Sequence, residues 1–202
     1  ENQGISLSEE QCGQFETYYR LLVSWNEKMN LTGITERTDI YWKHFYDSIS
    51  PAFFVDFTKC EQLLDVGSGA GFPAFPLKIA FPHLRVTVVD SLKKRLTFLN
   101  EIRNSLHLSN VQIVHGRAEE LGRNKAFREQ YDIVTARAVA RLNVLCEYCL
   151  PFTRLQGHFV AMKTKSFAQE LKEAMVAIAK MGGRYTEAHT FVLPEHLGGR
   201  SI

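Results

Sequence analysis

Asp65-Val66-Gly67-Ser68-Gly69-Ala70-Gly71 is the stretch of this 202-residue chain best suited to chemistry. Glycines at 67, 69 and 71 remove three Cβ atoms, so the backbone can turn sharply and lie close against a ligand. The apolar pair Leu63-Leu64 precedes the stretch, and a helix-like segment with Pro73 near its start follows it. Strand, glycine loop and helix in that order present backbone N–H groups to a nucleoside-type cofactor. A dinucleotide site wants Gly-x-Gly-x-x-Gly, which needs glycine at 72, where Phe72 stands. Asp65 at the strand end would also repel a phosphate. The plainer alternative is a glycine turn in an ordinary βα unit.

The pattern acid-x-Gly-x-Gly-x-Gly resembles the first motif of the class I S-adenosylmethionine (AdoMet) methyltransferases. AdoMet carries a sulfonium cation and an amino-acid zwitterion, so Asp65 suits it. A second strand, Arg85-Val86-Thr87-Val88-Val89, ends at Asp90, about 20 positions past the glycine loop, where an acid can accept hydrogen bonds from ribose hydroxyls. Asp90 also suits the N-cap of the next helix, and both roles can hold at once. A third strand, Val111 to His115, leads into Gly116-Arg117-Ala118-Glu119-Glu120. In this fold that loop commonly holds the adenine, which makes Ala118 and Glu119 candidates, although acids in a helix's first turn also favour its dipole. The fourth strand ends Thr135-Ala136-Arg137-Ala138-Val139, with Arg141 beyond. It lacks the Asp/Asn-Pro-Pro-aromatic motif of exocyclic-amine methylases and the cysteine that attacks C6 of a pyrimidine. Arg137 instead suits a carboxylate, a phosphate or a guanine edge, against the alternative of a solvated surface arginine.

These residues need a scaffold that gathers strand ends. Strands at 62–66, 85–90, 111–115, 131–136 and 158–162 alternate with helices near 73–81, 92–106, 117–121, 141–150 and 167–181, and Tyr185 to Leu193 reads as a further strand. Alternating βαβ units predict an α/β fold with a mostly parallel, doubly wound sheet whose ligand lies at the carboxyl ends of the strands. Residues 1–50 read as a helical extension of a domain over 51–202. Ser8 with Gln11 forms a capping box, and Phe15, Tyr18, Leu22, Trp25 and Met29 make an apolar stripe that Asn30 can end. A second helical segment, Asp39 to Tyr46, precedes Pro51.

A 45% hydrophobic content is ample for one core, and a net charge of +2 with pI near 8.4 neither demands nor opposes a nucleic-acid partner. Cys146-x-x-Cys149 lies in an apolar helical stretch and suits core packing better than zinc or redox chemistry. With no signal peptide or membrane-spanning run, the chain reads as cytoplasmic and a monomer, with no metal expected.

Several longer stretches resemble the RsmG (GidB) family of 16S ribosomal RNA guanine-N7 methyltransferases. They are Asp65 to Pro73 with Phe75-Pro76-Leu77, Asp90-Ser91-Leu92-x-Lys94-Arg95-x-x-Phe98-Leu99, Arg117-Ala118-Glu119 and Thr135-Ala136-Arg137-Ala138. In the extension, Trp25-Asn26, Met29 to Thr32 and Lys43 to Ser48 also match, so the likeness runs from about residue 18 to 163. The resemblance implies an AdoMet cofactor contacted by Gly67, Phe72, Ala118, Glu119 and Arg137. It implies a guanine in a small-subunit loop near the decoding centre as acceptor, with no general base or nucleophile. Arg137, Arg141, Lys163 and Lys165 are the expected RNA contacts, with Arg123, Lys125 and Arg128 on a flanking loop. His44, Asp47 and Ser48 line the acceptor side if the extension folds over the site, or cap a helix ahead of Pro51. Ala74 stands where the family often has glycine, and the family's last strand and basic tail are expected to be missing. A methyltransferase of small molecules or proteins, or an AdoMet-binding module without activity, uses the same cofactor fold and stays open.

Overall fold

The computed structural model describes residues 4–164, 167–194 and 197–202. Strands β1 (Gln62–Val66), β2 (Arg85–Asp90), β3 (Val111–His115), β4 (Tyr131–Arg137) and β5 (Thr153–Thr164) pair in parallel. With β6 (Thr190–Val192) and β7 (Gly199–Ser201) they form one sheet in the order β3-β2-β1-β4-β5-β7-β6. The reversal of strand order between β1 and β4 creates the crevice above their carboxyl ends.

Alternate side chains of the central strands feed opposite faces, because successive Cβ atoms point to opposite sides of a sheet. Leu63, Val86, Val88 and Ile133 pack with helices α1 (Glu9–Met29), α4 (Ala74–Ala80) and α5 (Lys93–Ser105). Leu64, Val66, Val89, Val134 and Ala136 meet α6 (Ala118–Leu121) and α7 (Leu142–Cys149) on the other face. Helix α8 (Ala168–Lys180) packs on α7 through Ala174, against Leu142 and Cys146. Cys146 and Cys149 are buried core side chains, as expected from their apolar setting.

The extension forms from local signals. Ser8 and Gln11 make the capping box, with backbone-to-side-chain bonds of 2.7 and 3.2 Å. Asn30 ends α1 in a left-handed conformation. Phe15, Tyr18 and Leu22 join the same core as Phe72 and Phe75, and Gln11 Nε2 donates to the Ile79 carbonyl at 2.6 Å. The second helical run is longer than expected. It comprises α2 (Arg37–Ile40), a π-helical turn over Tyr41–Tyr46, and α3 (Asp47–Ile49), and a 3₁₀ turn (Ser50–Phe53) continues across the expected boundary at residue 50.

Two expectations need correction. β5 begins at Thr153 rather than 158, because a register shift between Tyr131 and Ile133 restarts its pairing with β4. The apolar stretch 185–193 yields only Thr190–Val192, since its pairing ends with its short antiparallel partner β7. That partner is itself a strand after the glycine turn, seated between β5 and β6 (Lys163↔Ser201, Thr164↔Arg200).

Candidate active site

Three glycines make the β1–α4 loop possible, each for a different reason. Gly67, Gly69 and Gly71 all have positive φ (68°, 60° and 95°), a region that costs other residues about 1–2 kcal/mol. A Cβ on Gly67 would stand 2.6 Å from Val139 Cγ2, and one on Gly71 would stand 2.5 Å from the Tyr18 hydroxyl. At Gly69 the space is open, with only the Gly67 carbonyl within reach at 3.9 Å. The loop's free face is therefore at residue 69, and its back is packed.

Tyr18 braces that back. It is fully buried, its hydroxyl donates to the Ala70 carbonyl at 2.6 Å, and its ring stacks on Phe72 at 5.4 Å. Burial pushes its hydroxyl pKa well above the ordinary range, so it remains a donor. His44 also stacks on Phe72, at 4.6 Å, and its Nε2 meets Thr32 Oγ1 at 2.7 Å. Burial, and then the Arg137 charge, push its pKa down to about 4, so the imidazole is neutral. Phe72 is thus a buried prop whose ring supports the loop.

Asp65 lies beneath the loop with no exposure. Its Oδ1 accepts from Thr135 Oγ1 at 2.8 Å, while Oδ2 and the nearby buried Ser68 Oγ have no hydrogen-bond partner among the described residues. Burial pushes its pKa up to about 7, opposed first by the neighbouring Ser68 hydroxyl, then by the Thr135 hydroxyl and the Arg137 charge, and reinforced by Asp90. Asp90, 3% exposed, accepts from the Gly69 N–H at 3.0 Å and the Leu92 N–H at 2.8 Å, with Arg95 at 3.4 Å. It holds the glycine loop and turns the chain into α5, but Leu92 occupies the N-cap position. A carboxylate has about four acceptor sites, so with these three donors about one remains for a ligand's hydroxyl.

Gly67, Ala118 and Glu119 line one cavity of about 120 Å³ with Val66, Val89, Ser91, Val139 and Tyr148. The expected cofactor residues from β1 and the β3–α6 loop are therefore brought together, with Asp65 under the floor and Asp90 at the next strand end. A buried carboxyl group below the loop and a glycine face free of Cβ fit a nucleoside-bearing group.

The residues expected to contact RNA separate into distinct settings. Arg137 is 14% exposed; its Nη1 donates to Asp47 Oδ2 at 2.9 Å and the Lys43 carbonyl at 3.3 Å, and its guanidinium lies 5.1 Å from the Phe72 ring centre. Burial lowers its pKa from the ordinary value and Asp47 opposes that, so it stays a cation. Lys163, also 14% exposed, is held by Glu170 at 2.7 Å and the Ala140 carbonyl at 3.0 Å. Arg141 is 62% exposed and pairs with Glu173. Lys165 lies outside the described residues. Arg137 and Lys163 are thus tied into the protein by partners, because a cation largely shielded from water requires them. The extension does fold over this end: His44, Asp47 and Ser48 all sit beside it, with Asp47 and Ser48 buried and Ser48 Oγ donating to the His44 carbonyl.

Residues 11–197 match the family described as GidB, rRNA small subunit methyltransferase G. The chain belongs to this family. It is 56% identical over 200 residues to the ribosomal RNA small subunit methyltransferase G of an Exiguobacterium species, covering 99% of this chain and 84% of the relative. The Staphylococcus aureus protein of the same name is 57% identical over 198 residues, covering 98% and 82%. Among solved structures, an O-methyltransferase from Bacillus cereus in complex with SAH superposes with a TM-score of 0.65 at 14% identity, covering 92% of this chain and 89% of that one. Aeropyrum pernix fibrillarin with natively bound S-adenosyl-L-methionine gives 0.59 at 12% identity, covering 77% and 71%. These two show a shared class I methyltransferase fold, and GidB membership makes this chain a methyltransferase.

Two residues packed around this candidate site were not readable as such. Tyr18 stood only in an apolar stripe, though a fully buried tyrosine needs a partner for its hydroxyl. Arg200, whose Nε donates to Asp47 Oδ1 at 2.9 Å, carries no local signal, because its partner is 153 residues away.

Proposed function

We propose that this GidB-family protein transfers a methyl group from AdoMet to N7 of a guanine in 16S ribosomal RNA, in the loop near the decoding centre, acting as a cytoplasmic monomer on RNA or the small subunit. Asp65, Gly67, Gly69, Asp90, Ala118 and Glu119 would hold the cofactor, with Gly71 and Phe72 shaping the loop and Arg137 at its open end. Residues 1–50 would serve as an extension that closes the acceptor side. Bound AdoMet supplies a methyl group on a sulfonium, ready for displacement by a lone pair. Among the described residues, no helix is long and apolar enough to cross a membrane.

The observation that carries the acceptor is the end of β4. It presents a buried alanine and a part-buried arginine, Ala136-Arg137. The buried cysteines nearest in sequence, Cys146 and Cys149, have thiols pushed up to about 11 and well above the ordinary value by burial, unsuited to attack on a pyrimidine. Guanine N7 carries an unprotonated lone pair in the ring plane, so no side chain has to take a proton before transfer. The protein's task is alignment, which can supply about 7–11 kcal/mol of barrier reduction. The product base is cationic, and Asp65, buried at the end of β1, would favour it in its ionised form.

Methyl transfer from labelled AdoMet to undermethylated small ribosomal subunits, followed by nucleoside analysis, tests this reading. Label in 7-methylguanosine is expected. Label in another nucleoside overturns the acceptor, and no label despite AdoMet binding moves the substrate to a small molecule or protein. Gly69→Asp, which places a carboxylate on the loop's open face beside the Asp90 oxygen, should weaken AdoMet binding at least about tenfold.

A further inference from the structure

Asp47 is 3% exposed, and each of its carboxylate oxygens receives a different guanidinium. Arg137 Nη1 donates to Oδ2 and Arg200 Nε to Oδ1, both at 2.9 Å. Three segments remote in sequence therefore meet at one carboxylate. Asp47 directly follows the π-helical turn Tyr41–Tyr46, a geometry frequent at functional sites. Arg137 ends β4, and Arg200 is fixed in β7 by its pairing with Thr164 and by a 3.1 Å bond from Nη1 to the Gly199 carbonyl.

Stability alone does not account for this cluster, since well-packed apolar side chains of similar volume commonly match or exceed a buried ion pair. What the cluster supplies is aim. A carboxylate held by one arginine can pivot with it, whereas one gripped from a second direction cannot. Two cations on one anion also leave a net positive charge, and Arg200 is itself 20% exposed and committed to Asp47. Arg137, carried at the glycine-loop end of β4 and lying over Phe72, is the member placed to offer that charge to a ligand.

We propose that Asp47 and Arg200 are positioning residues for Arg137, so that the C-terminal hairpin sets the direction in which Arg137 meets the anionic end of the cofactor. This rests on the reading of Arg137 as a cofactor contact. AdoMet affinity, measured by calorimetry, is the test. Arg200→Ala should weaken binding about tenfold, Arg200→Lys should recover it to within about threefold, and Arg200→Ala should add nothing in an Arg137→Ala background. A merely structural role would lower the unfolding midpoint, leave affinity in place and show no such dependence on Arg137. Wild-type affinity in Arg200→Ala beside impaired Arg137→Ala overturns the positioning proposal alone. Wild-type affinity in Arg137→Ala overturns the reading beneath it. If Arg200→Ala does not fold, Asp47→Asn makes the same test, keeping the side chain's size while removing the charge, and the same tenfold loss is expected.

Discussion

The ends of β1 and β4 lie side by side in the sheet, Asp65 opposite Thr135 and Val66 opposite Ala136, yet they are assembled by different means. The β1 end is a backbone device. Its shape comes from three glycines within five residues, and its main polar holds are N–H groups on nearby carbonyls and on Asp90. The β4 end is a side-chain device, in which Arg137, Asp47 and Arg200 converge across 90 and 153 residues. A backbone device is sensitive to any added Cβ. A side-chain device is sensitive to loss of charge or of a partner.

The largest effects should separate two glycines of the same loop. Gly71→Ala meets the Tyr18 hydroxyl at 2.5 Å and Phe75 Cδ2 at 2.8 Å, with both rings buried. Overpacking of about 1–3 kcal/mol adds to a left-handed backbone penalty of about 1–2 kcal/mol, so a loss of about 2–5 kcal/mol in urea unfolding is expected. Gly69→Ala enters open space and should lose only the backbone part, about 1–2 kcal/mol. Equal losses would show that the loop's back is not the packed face, and would break the contrast between shape and charge.

That contrast also explains what was legible in the sequence. The bounds of β1, β2 and β3 match the expectation residue for residue, because runs of β-branched and leucine side chains between turn signals mark strands, buried in β1 and β2 and half-exposed at the β3 edge. The capping box and the Asn30 stop were likewise visible, both being signals within a few residues. The β6–β7 hairpin was not, since its three-residue strands exist by pairing with β5 and each other. The π-helical turn carries no signal that separates it from an ordinary helix, because Tyr41, Trp42 and Phe45 satisfy either pattern. At the candidate site, the glycine loop and Asp90 were singled out by spacing and Ala118-Glu119 by the loop after the third strand, and Gly67, Ala118 and Glu119 share one cavity, whereas the commitment of Arg137 to Asp47 was not visible. Residue type announces a charge but not the distant partner that consumes it.

Asp65 joins the two devices, being the buried acid under the loop that faces the Arg137 charge, so its titration sharpens the comparison. Its native pKa, about 7, lies above the ordinary 3.8. The folded state then holds the proton more tightly than the unfolded chain, so this contribution to stability is fully present below about pH 4 and is lost as pH rises through about 7. An asparagine side chain in its place cannot ionise. Asp65→Asn should therefore gain stability relative to the wild type as pH rises from about 5 to 8, by about 2 kcal/mol and at most about 4. Urea unfolding of both proteins across that range reads the gap. A gap independent of pH would mean that Arg137 and Thr135 already hold Asp65 ionised, and the β4 end would then be neutralising the β1 end.

The smallest effects concern two cations near the β4 end, Arg141 and Lys163. Lys163 is 14% exposed, with Glu170 and the Ala140 carbonyl both on its ammonium, and Arg141 is 62% exposed, with Glu173 at 40%. An exposed pair of the second kind is worth about 0–1 kcal/mol, so Arg141→Gln should leave stability within about 0.5 kcal/mol of the wild type. Lys163→Gln strands part of its network and should lose about 1–2 kcal/mol. RNA binding should show the opposite order. If Arg141 reaches a phosphate, its removal lowers the slope of log affinity against log salt by about 0.7–0.9, whereas removing Lys163, already neutralised in place, leaves the slope unchanged. A slope that falls for Lys163→Gln would mean that RNA pulls this lysine from Glu170, and that the side-chain device rearranges on binding where the backbone device does not.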